Sequence, residues 1–370
     1  MKVLKLSDKV YAQSLSRWHG SYEEGFPQRE QYLFEQMKSC CDFQFFRHGV
    51  LDTLERVREA QDDLLHTFVF GDEEYDVVIF DNPLSALILP DRKKIKGHPK
   101  IVWDVCDWYE RMFKCEFGNE ALRTEKYYLL KMGMEKASRI ATKIVAQGPE
   151  ILSWVQKSWK VTKDVLVLPN GYDETYCYPK QLPIGGHCSI PLVPKADEKL
   201  VCFAGKLGLW YKGILRVAKA VEKMVGYSLL VVGEGPLRKS LEGRKKIICI
   251  GRVPKEVVAD CVNYADVCVM PVDDDSPIAT TEYMACGKPV VHLGKKISWL
   301  VQDGINGCLI DDVDNLKEWT SSISFVYQRK EIIGESNLKR VKHMNLSWQE
   351  LSQKFVDFLS KESASNLVGL

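Results

Sequence analysis

Twelve short apolar runs divide this chain, and helical-looking segments separate them. In the first half they are Val3–Leu6, Phe43–Phe46, Asp76–Phe80, Lys100–Trp103, Ile140–Val145 and Val165–Leu168. In the second half they are Leu200–Ala204, Leu229–Val232, Ile247–Ile250, Val267–Met270, Val290–Leu293 and Cys308–Ile310. Runs of β-branched and aliphatic residues without polar alternation suit strands buried on both faces. Strand and helix in strict alternation require right-handed crossovers and parallel sheets. Six runs in each half predict an α/β chain of two Rossmann-like domains rather than one large sheet. A length of 370 residues suits two cores.

The segment PKQLPIGGHCSIPLVPK, 179–195, carries four prolines and a Gly-Gly and breaks both helix and strand. We read 1–178 as the first domain, 179–197 as a linker and 198–345 as the second domain. The last segment, SWQELSQKFVDFLSK, places Trp348, Leu351, Phe355 and Phe358 on one helical stripe, so 346–370 is expected to pack back on the first domain. Membrane docking is the alternative for such a stripe, but its polar face is not markedly basic.

Composition removes several classes of function. The formal net charge of +1 provides no global field for nucleic acid or a membrane. The 12 cysteines include no CxxC pair, so no zinc spacing is present, and free thiols suit a reducing cytosol. The first residues, MKVLKLSDKVY, lack a signal-peptide core, and no stretch is long and apolar enough to span a bilayer.

Parallel α/β sheets bind ligands outside the carboxyl ends of their strands. After Leu200–Ala204 comes GKLGLWYKG, where Gly205 and Gly208 allow tight turns and Lys206 and Lys212 bracket them. Two lysines beside a helix N-terminus suit a diphosphate, although loop lysines are more often simply solvated. After Leu229–Val232 comes GEGPLRKSLE, in which Gly233 and Gly235 turn the chain and Pro236 suits a helix start. After Ile247–Ile250, Gly251 ends a strand and Pro254 begins a helix. After Val267–Met270 comes DDDSPIATTEYMACGKPVV, with Ser276 expected as N-cap, Pro277 as N1 and Gly287 as the C′ residue. Acid near a helix N-terminus is stabilising, yet one cap does not require three aspartates. Glu282 lies in an apolar helix and needs a partner, for which a ribose is one candidate.

From Leu200 to Asp314 these blocks, in order, resemble the donor domain of the retaining GT-B glycosyltransferases, glycosyltransferase family 4. The blocks are GKLGLWYKG, VVGEGPLRKSLE, IGRVPKEVV, D-x7-EYMACGKPVV and QDGINGCLIDDVD. NGYDETYCYP at 170–179 resembles the block preceding the family's linker, and SWQEL resembles its returning terminal helix. The resemblance implies two Rossmann-like domains facing a central cleft that closes on the donor. It implies retaining, metal-independent transfer of a sugar from a UDP- or GDP-sugar to an acceptor hydroxyl, in glycan or glycoconjugate biosynthesis. No cofactor beyond that donor is expected, and no metal.

Residue by residue, the resemblance gives Lys206 and Lys212 to the donor diphosphate, with Lys206 standing where arginine is usual. It gives Glu282 to the nucleotide ribose and Val253 to the base, within a nucleotide site that includes Gly205 and Gly233. It gives Asp274 to the donor sugar and to catalysis, one methylene shorter than the family's glutamate. Asp275, Ser276 and Ile278 follow it at the sugar, where Pro277 supplies no N–H. In the first domain, EEGFPQREQYLFEQM fits the glycine-containing loop near the phosphates, with Gly25 as the glycine and Arg29 on the acceptor side. Asp81, Asp104 and Asp107 follow predicted strands and are read as acceptor or catalytic contacts, or else as caps and ion pairs. None of the seven histidines fits a catalytic position, and His292 reads as core.

Rival expectations are a nucleotide-sugar epimerase or sugar phosphorylase on the same scaffold, and a non-catalytic nucleotide-sugar-binding partner. A dehydrogenase is disfavoured, because no G-x-G-x-x-G follows the first strand. The acceptor is open between a glycan, a lipid-linked sugar, a protein and a small molecule. The chain is expected in the cytoplasm, with peripheral membrane contact through SLSRWHGSY if the acceptor is lipid-linked.

Overall fold

The computed structural model describes residues 1–8, 29, 33–34, 37–48, 51–65, 74–90, 94–160, 164–182 and 198–361. All twelve apolar runs form strands. The first unit holds β1 (Lys2–Asp8), β2 (Asp42–His48), β3 (Val77–Phe80), β4 (Lys100–Val105), β5 (Lys143–Ala146) and β6 (Asp164–Val167). The second holds β7 (Lys199–Ala204), β8 (Tyr227–Val232), β9 (Ile247–Gly251), β10 (Val267–Met270), β11 (Val290–Leu293) and β12 (Gly307–Ile310). The fifth run begins later than its apolar pattern, because Ile140 still belongs to the helix Glu125–Ile140. Burial on both faces holds for central strands such as β3 and β8 and fails at edges such as β6, whose Val167 is exposed.

Every strand pair is parallel. The second sheet has the order β12-β11-β10-β7-β8-β9. Numbered from its own first strand this is the Rossmann order, whose direction reverses between β7 and β10. The first sheet runs β2-β1-β3-β4-β5-β6, so its reversal lies between β1 and β3. That is the flavodoxin-like variant of the doubly wound fold. Each reversal opens a crevice at the carboxyl ends of two strands, and the polar residues of interest gather at these two places.

The compact units are Met1–Pro169 with Gln349–Leu370, and Asn170–Trp348. Residues 170–182 therefore pack with the second unit rather than the first. The Asn170 side chain donates to the Ser276 carbonyl at 2.6 Å, Lys180 pairs with Asp260 at 2.7 Å, and the Lys180 N–H donates to Asn263 Oδ1 at 2.9 Å. Of the expected linker, residues 183–197 lie outside the described residues. The last helix, Trp348–Ser360, buries Leu351, Phe355 and Leu359. Phe355 approaches Phe34 at 6.5 Å, and the Phe358 ring sits over the Lys143 ammonium at 4.5 Å. Lys100 Nζ donates to the carbonyls of Leu359, Ser360 and Lys361, satisfying the helix C-terminus. Among the described residues no helix is long and apolar enough to cross a membrane.

His292 is core. It is fully buried on β11, and its Nδ1 lies 2.8 Å from the Leu293 carbonyl. Burial lowers its pKa from 6.5 to about 4. The folded protein keeps the ring neutral while the unfolded chain takes up a proton below pH 6.5. Stability from this group is therefore present above pH 6.5 and lost as pH falls towards 4. The expected loss over that range is about 3 kcal/mol. Urea unfolding at stepped pH should show it, and a His292→Gln variant should flatten the curve.

Candidate functional site

At the β7/β10 crevice the chain brings a glycine-lysine loop against an acidic turn and a helix. Gly205 follows β7, and its N–H donates to the Val232 carbonyl at 2.9 Å. The Leu207 N–H donates to Glu234 O at 2.8 Å, so the loops after β7 and β8 share backbone bonds. Gly233 lies at φ +140 with its α-carbon against the Gly205 carbonyl, a place where only glycine fits. The expected helix after Pro236 is only a 3-10 turn, Arg238–Ser240. Lys206 and Lys212 are both exposed, and Lys212 directly precedes Gly213 and the helix Ile214–Lys223. That helix start is fixed by close packing of Gly213 on the Pro271 carbonyl.

The three aspartates after β10 have separate structural partners. Asp273 pairs with Lys296 at 2.9 Å. Asp274 is half-buried, and its Oδ1 accepts the Ser276 N–H at 3.3 Å in an Asx turn. Asp275 is fully buried, and its carbonyl accepts from Trp299 Nε1 at 2.8 Å. Ser276 is not the N-cap that its sequence predicts. The helix begins at Ile278 with Pro277 as cap. The Ser276 hydroxyl is buried and accepts the Asn170 N–H at 2.8 Å. With Asp275 and Ser276 turned inward, Asp274 and the half-buried Ile278 are the parts of the expected sugar contact with side chains at the surface. Gly287 ends the next turn at φ +69, as a C′ glycine does.

The helix Ile278–Ala285 is locked to the strand edge by Tyr283, whose hydroxyl donates to the Ala204 carbonyl at 3.1 Å and accepts the Ala204 N–H at 2.7 Å. Glu282 is the residue before Tyr283 on this helix. Its partner is Lys255, 3.6 Å away across a small cleft shared with Cys177 and Val258. Burial holds the Lys255 ammonium below the ordinary lysine pKa, while Glu282 pulls it upward. Val253 lies half-buried two residues earlier in the same loop. Lys255, Asn170 and Lys296 do not stand out in the sequence as site residues. Lys255 had a signal, since it follows Val253-Pro254 at the carboxyl end of a strand.

At the β1/β3 crevice of the first unit the aspartates are ion-paired. Lys5 is fully buried and reaches Asp81 at 3.0 Å. Arg29 is buried and grips Asp104 through two nitrogens, Nη2 to Oδ1 at 3.1 Å and Nε to Oδ2 at 3.3 Å. Its Nη1 donates to the Pro169 carbonyl at 3.3 Å. Burial disfavours the guanidinium charge, but Asp104 and Cys106 more than offset it and raise the Arg29 pKa. Burial pushes the Cys106 thiol well above its usual value, with Asp104 and Asp81 adding to it. Tyr109 donates from its hydroxyl to the Asp81 carbonyl at 2.5 Å. Asp81 and Asp104 are thus both ion-paired. Asp107 is half-buried next to Tyr109. Gly25 lies outside the described residues. Lys5 had a sequence signal as well, because a lysine inside a buried strand needs a partner.

Residues 198–329 match the family model described as Glycosyl transferases group 1. The matched segment holds both lysines, the acidic turn and the Glu282–Lys255 pair. No curated protein matches the chain. Solved structures do. Sucrose-phosphate synthase from Thermosynechococcus elongatus is 14% identical over 96% of this chain and 98% of its own, with a TM-score of 0.72. Anabaena HepE in complex with UDP-glucose is 16% identical over 97% and 99%, with a TM-score of 0.65. The lipopolysaccharide outer core galactosyltransferase WaaB is 14% identical over 97% and 99%, also at 0.65. At such identities the likeness is one of fold, and that fold is the two-sheet α/β architecture of GT-B glycosyltransferases.

Proposed function

We propose that the chain is a retaining glycosyltransferase that moves a sugar from a nucleoside diphosphate sugar to an acceptor hydroxyl. The observation that carries this reading is the β7/β10 crevice. There Tyr283 ties the helix that carries Glu282 to Ala204, just before the Gly205–Lys206 loop, and the same segment, which matches the group 1 model, holds the turn carrying Asp274 and the Glu282–Lys255 pair. Glu282 accepts hydrogen bonds from the ribose hydroxyls, and Lys255 holds its carboxylate in place. Val253 meets the base through its backbone. Lys206, Lys212 and the N-terminus of Ile214–Lys223 receive the diphosphate and neutralise the charge it gains on leaving. Asp274 and Ile278 face the sugar, with the buried Asp275 and Ser276 shaping the turn beneath them.

In the reaction the anomeric carbon–oxygen bond breaks and its electron pair goes to the phosphate. The acceptor oxygen bonds to the anomeric carbon on the same face. Its proton passes to the departing phosphate oxygen. The lysines supply the charge neutralisation, so no metal is required. Asp107 is the acceptor-side carboxylate left at the surface; Asp81 and Asp104, ion-paired to Lys5 and Arg29, hold the floor of that side rigid. The donor base is that of UDP or GDP, the latter on the resemblance alone; for UDP, the solved HepE complex with UDP-glucose supports it. Ten of the cysteines are free thiols, which suits a cytoplasmic location.

The test is Asp274→Asn. Transfer is expected to fall by roughly tenfold to a hundredfold, because a sugar-facing charge is lost, while nucleotide affinity stays unchanged. Unchanged transfer would remove Asp274 from the reaction.

A further inference from the structure

Beyond the donor crevice, the first unit carries a second concavity of about 350 Å³. It opens where the chain leaves β4. Trp108 and Trp154 form one wall, with ring centroids 5.4 Å apart and planes tilted by 32°. Trp154 meets Trp159 edge-on at 5.0 Å, and Trp159 meets the fully buried Trp103 at 6.0 Å. Four indoles thus run from the cleft into the core and fix the wall in place. Tyr127 also lines the cleft, braced on Phe113 at 5.4 Å. Arg111 and Lys114 stand on its rim, three residues apart on the helix Tyr109–Phe117 and hence on one face. The one lining carboxylate, Glu110, accepts from the Tyr127 hydroxyl at 3.3 Å.

Half-buried indoles at the mouth of a cleft present apolar faces that water solvates poorly. A sugar ring has a matching C–H face and hydroxyls at its edge for Glu110. Two cations against one carboxylate give this rim a net positive charge, which favours an anionic group on the same ligand. We propose that this cleft binds an anionic saccharide, a sugar ring bearing a phosphate or a carboxylate, as the acceptor-side ligand. Its role as acceptor rests on the proposed transfer reaction; the binding itself does not.

The experiment is ligand-observed saturation-transfer NMR on the full chain, with glucose 6-phosphate, glucuronate and glucose in parallel, inorganic phosphate titrated as a competitor of glucose 6-phosphate, and UDP as a reference. It is run on wild type and on Lys114→Glu, an exposed position whose replacement leaves the core intact. Both charged sugars are expected to bind, glucose at least about tenfold more weakly, and phosphate alone more weakly still. Lys114→Glu should weaken the charged sugars at least about tenfold and leave UDP unaffected. Equal binding of glucose and glucuronate, equal binding of phosphate and glucose 6-phosphate, or no effect of Lys114→Glu would overturn the proposal. Loss of the UDP signal in both proteins would count against the nucleotide-sugar reading and leave the cleft assignment standing.

Discussion

Replacing Asp104 by alanine is expected to destabilise the protein by about 3–5 kcal/mol. Asp104 is 1% exposed, and its two oxygens receive Arg29, itself 4% exposed. The pair alone is a weak source of stability, because both charges were taken out of water. Removing one partner leaves a buried guanidinium without its carboxylate. Urea titration of the wild type, Asp104→Ala and the double variant Asp104→Leu/Arg29→Met measures the effect. The double variant should recover most of the loss, since neither charge then remains buried. A single-variant loss below about 1 kcal/mol would show that the pair is solvated in solution.

Gly233→Ala should cost about 2–4 kcal/mol and weaken nucleotide binding with it. A methyl group at this position points into the Gly205 carbonyl, and φ +140 is a region that L-residues avoid. The backbone must open there, and Gly205–Leu207 is the segment that sets Lys206 at the crevice. Gly208→Ala is the matched control. It has φ −78 and nothing within 4 Å of an added β-carbon. Its stability should change by less than about 1 kcal/mol, towards greater stability if anything. Equal effects at the two positions would contradict the packing described for the loop pair.

The strands were legible because a parallel strand covered on both faces has to be apolar throughout. The glycines at 233, 251 and 287 were legible because each stands at a left-handed or crowded turn. The difference in strand order between the two sheets was not, since a run of valines does not record which neighbour it pairs with. The helix start at Ile278 was misplaced for a specific reason. A Ser-Pro step reads as cap and first residue, but the Ser276 hydroxyl is taken by Asn170, 106 positions away. Arg29 and Asp104, 75 positions apart, are each visible as charges and invisible as a pair. Within the candidate site, Glu282 advertised its need for a partner, and only the fold supplied Lys255. The SLSRWHGSY segment and Gly25 lie outside the described residues.

The most direct measurement is calorimetric titration with UDP, GDP and ADP, with and without EDTA, on the wild type and on Glu282→Ala. One nucleotide, UDP or GDP, is expected to bind in the micromolar range, with an affinity that EDTA leaves unchanged and that Glu282→Ala weakens at least about tenfold. Absence of binding by all three nucleotides, or binding that survives Glu282→Ala intact, would contradict the assignment of the β7/β10 crevice as the donor site.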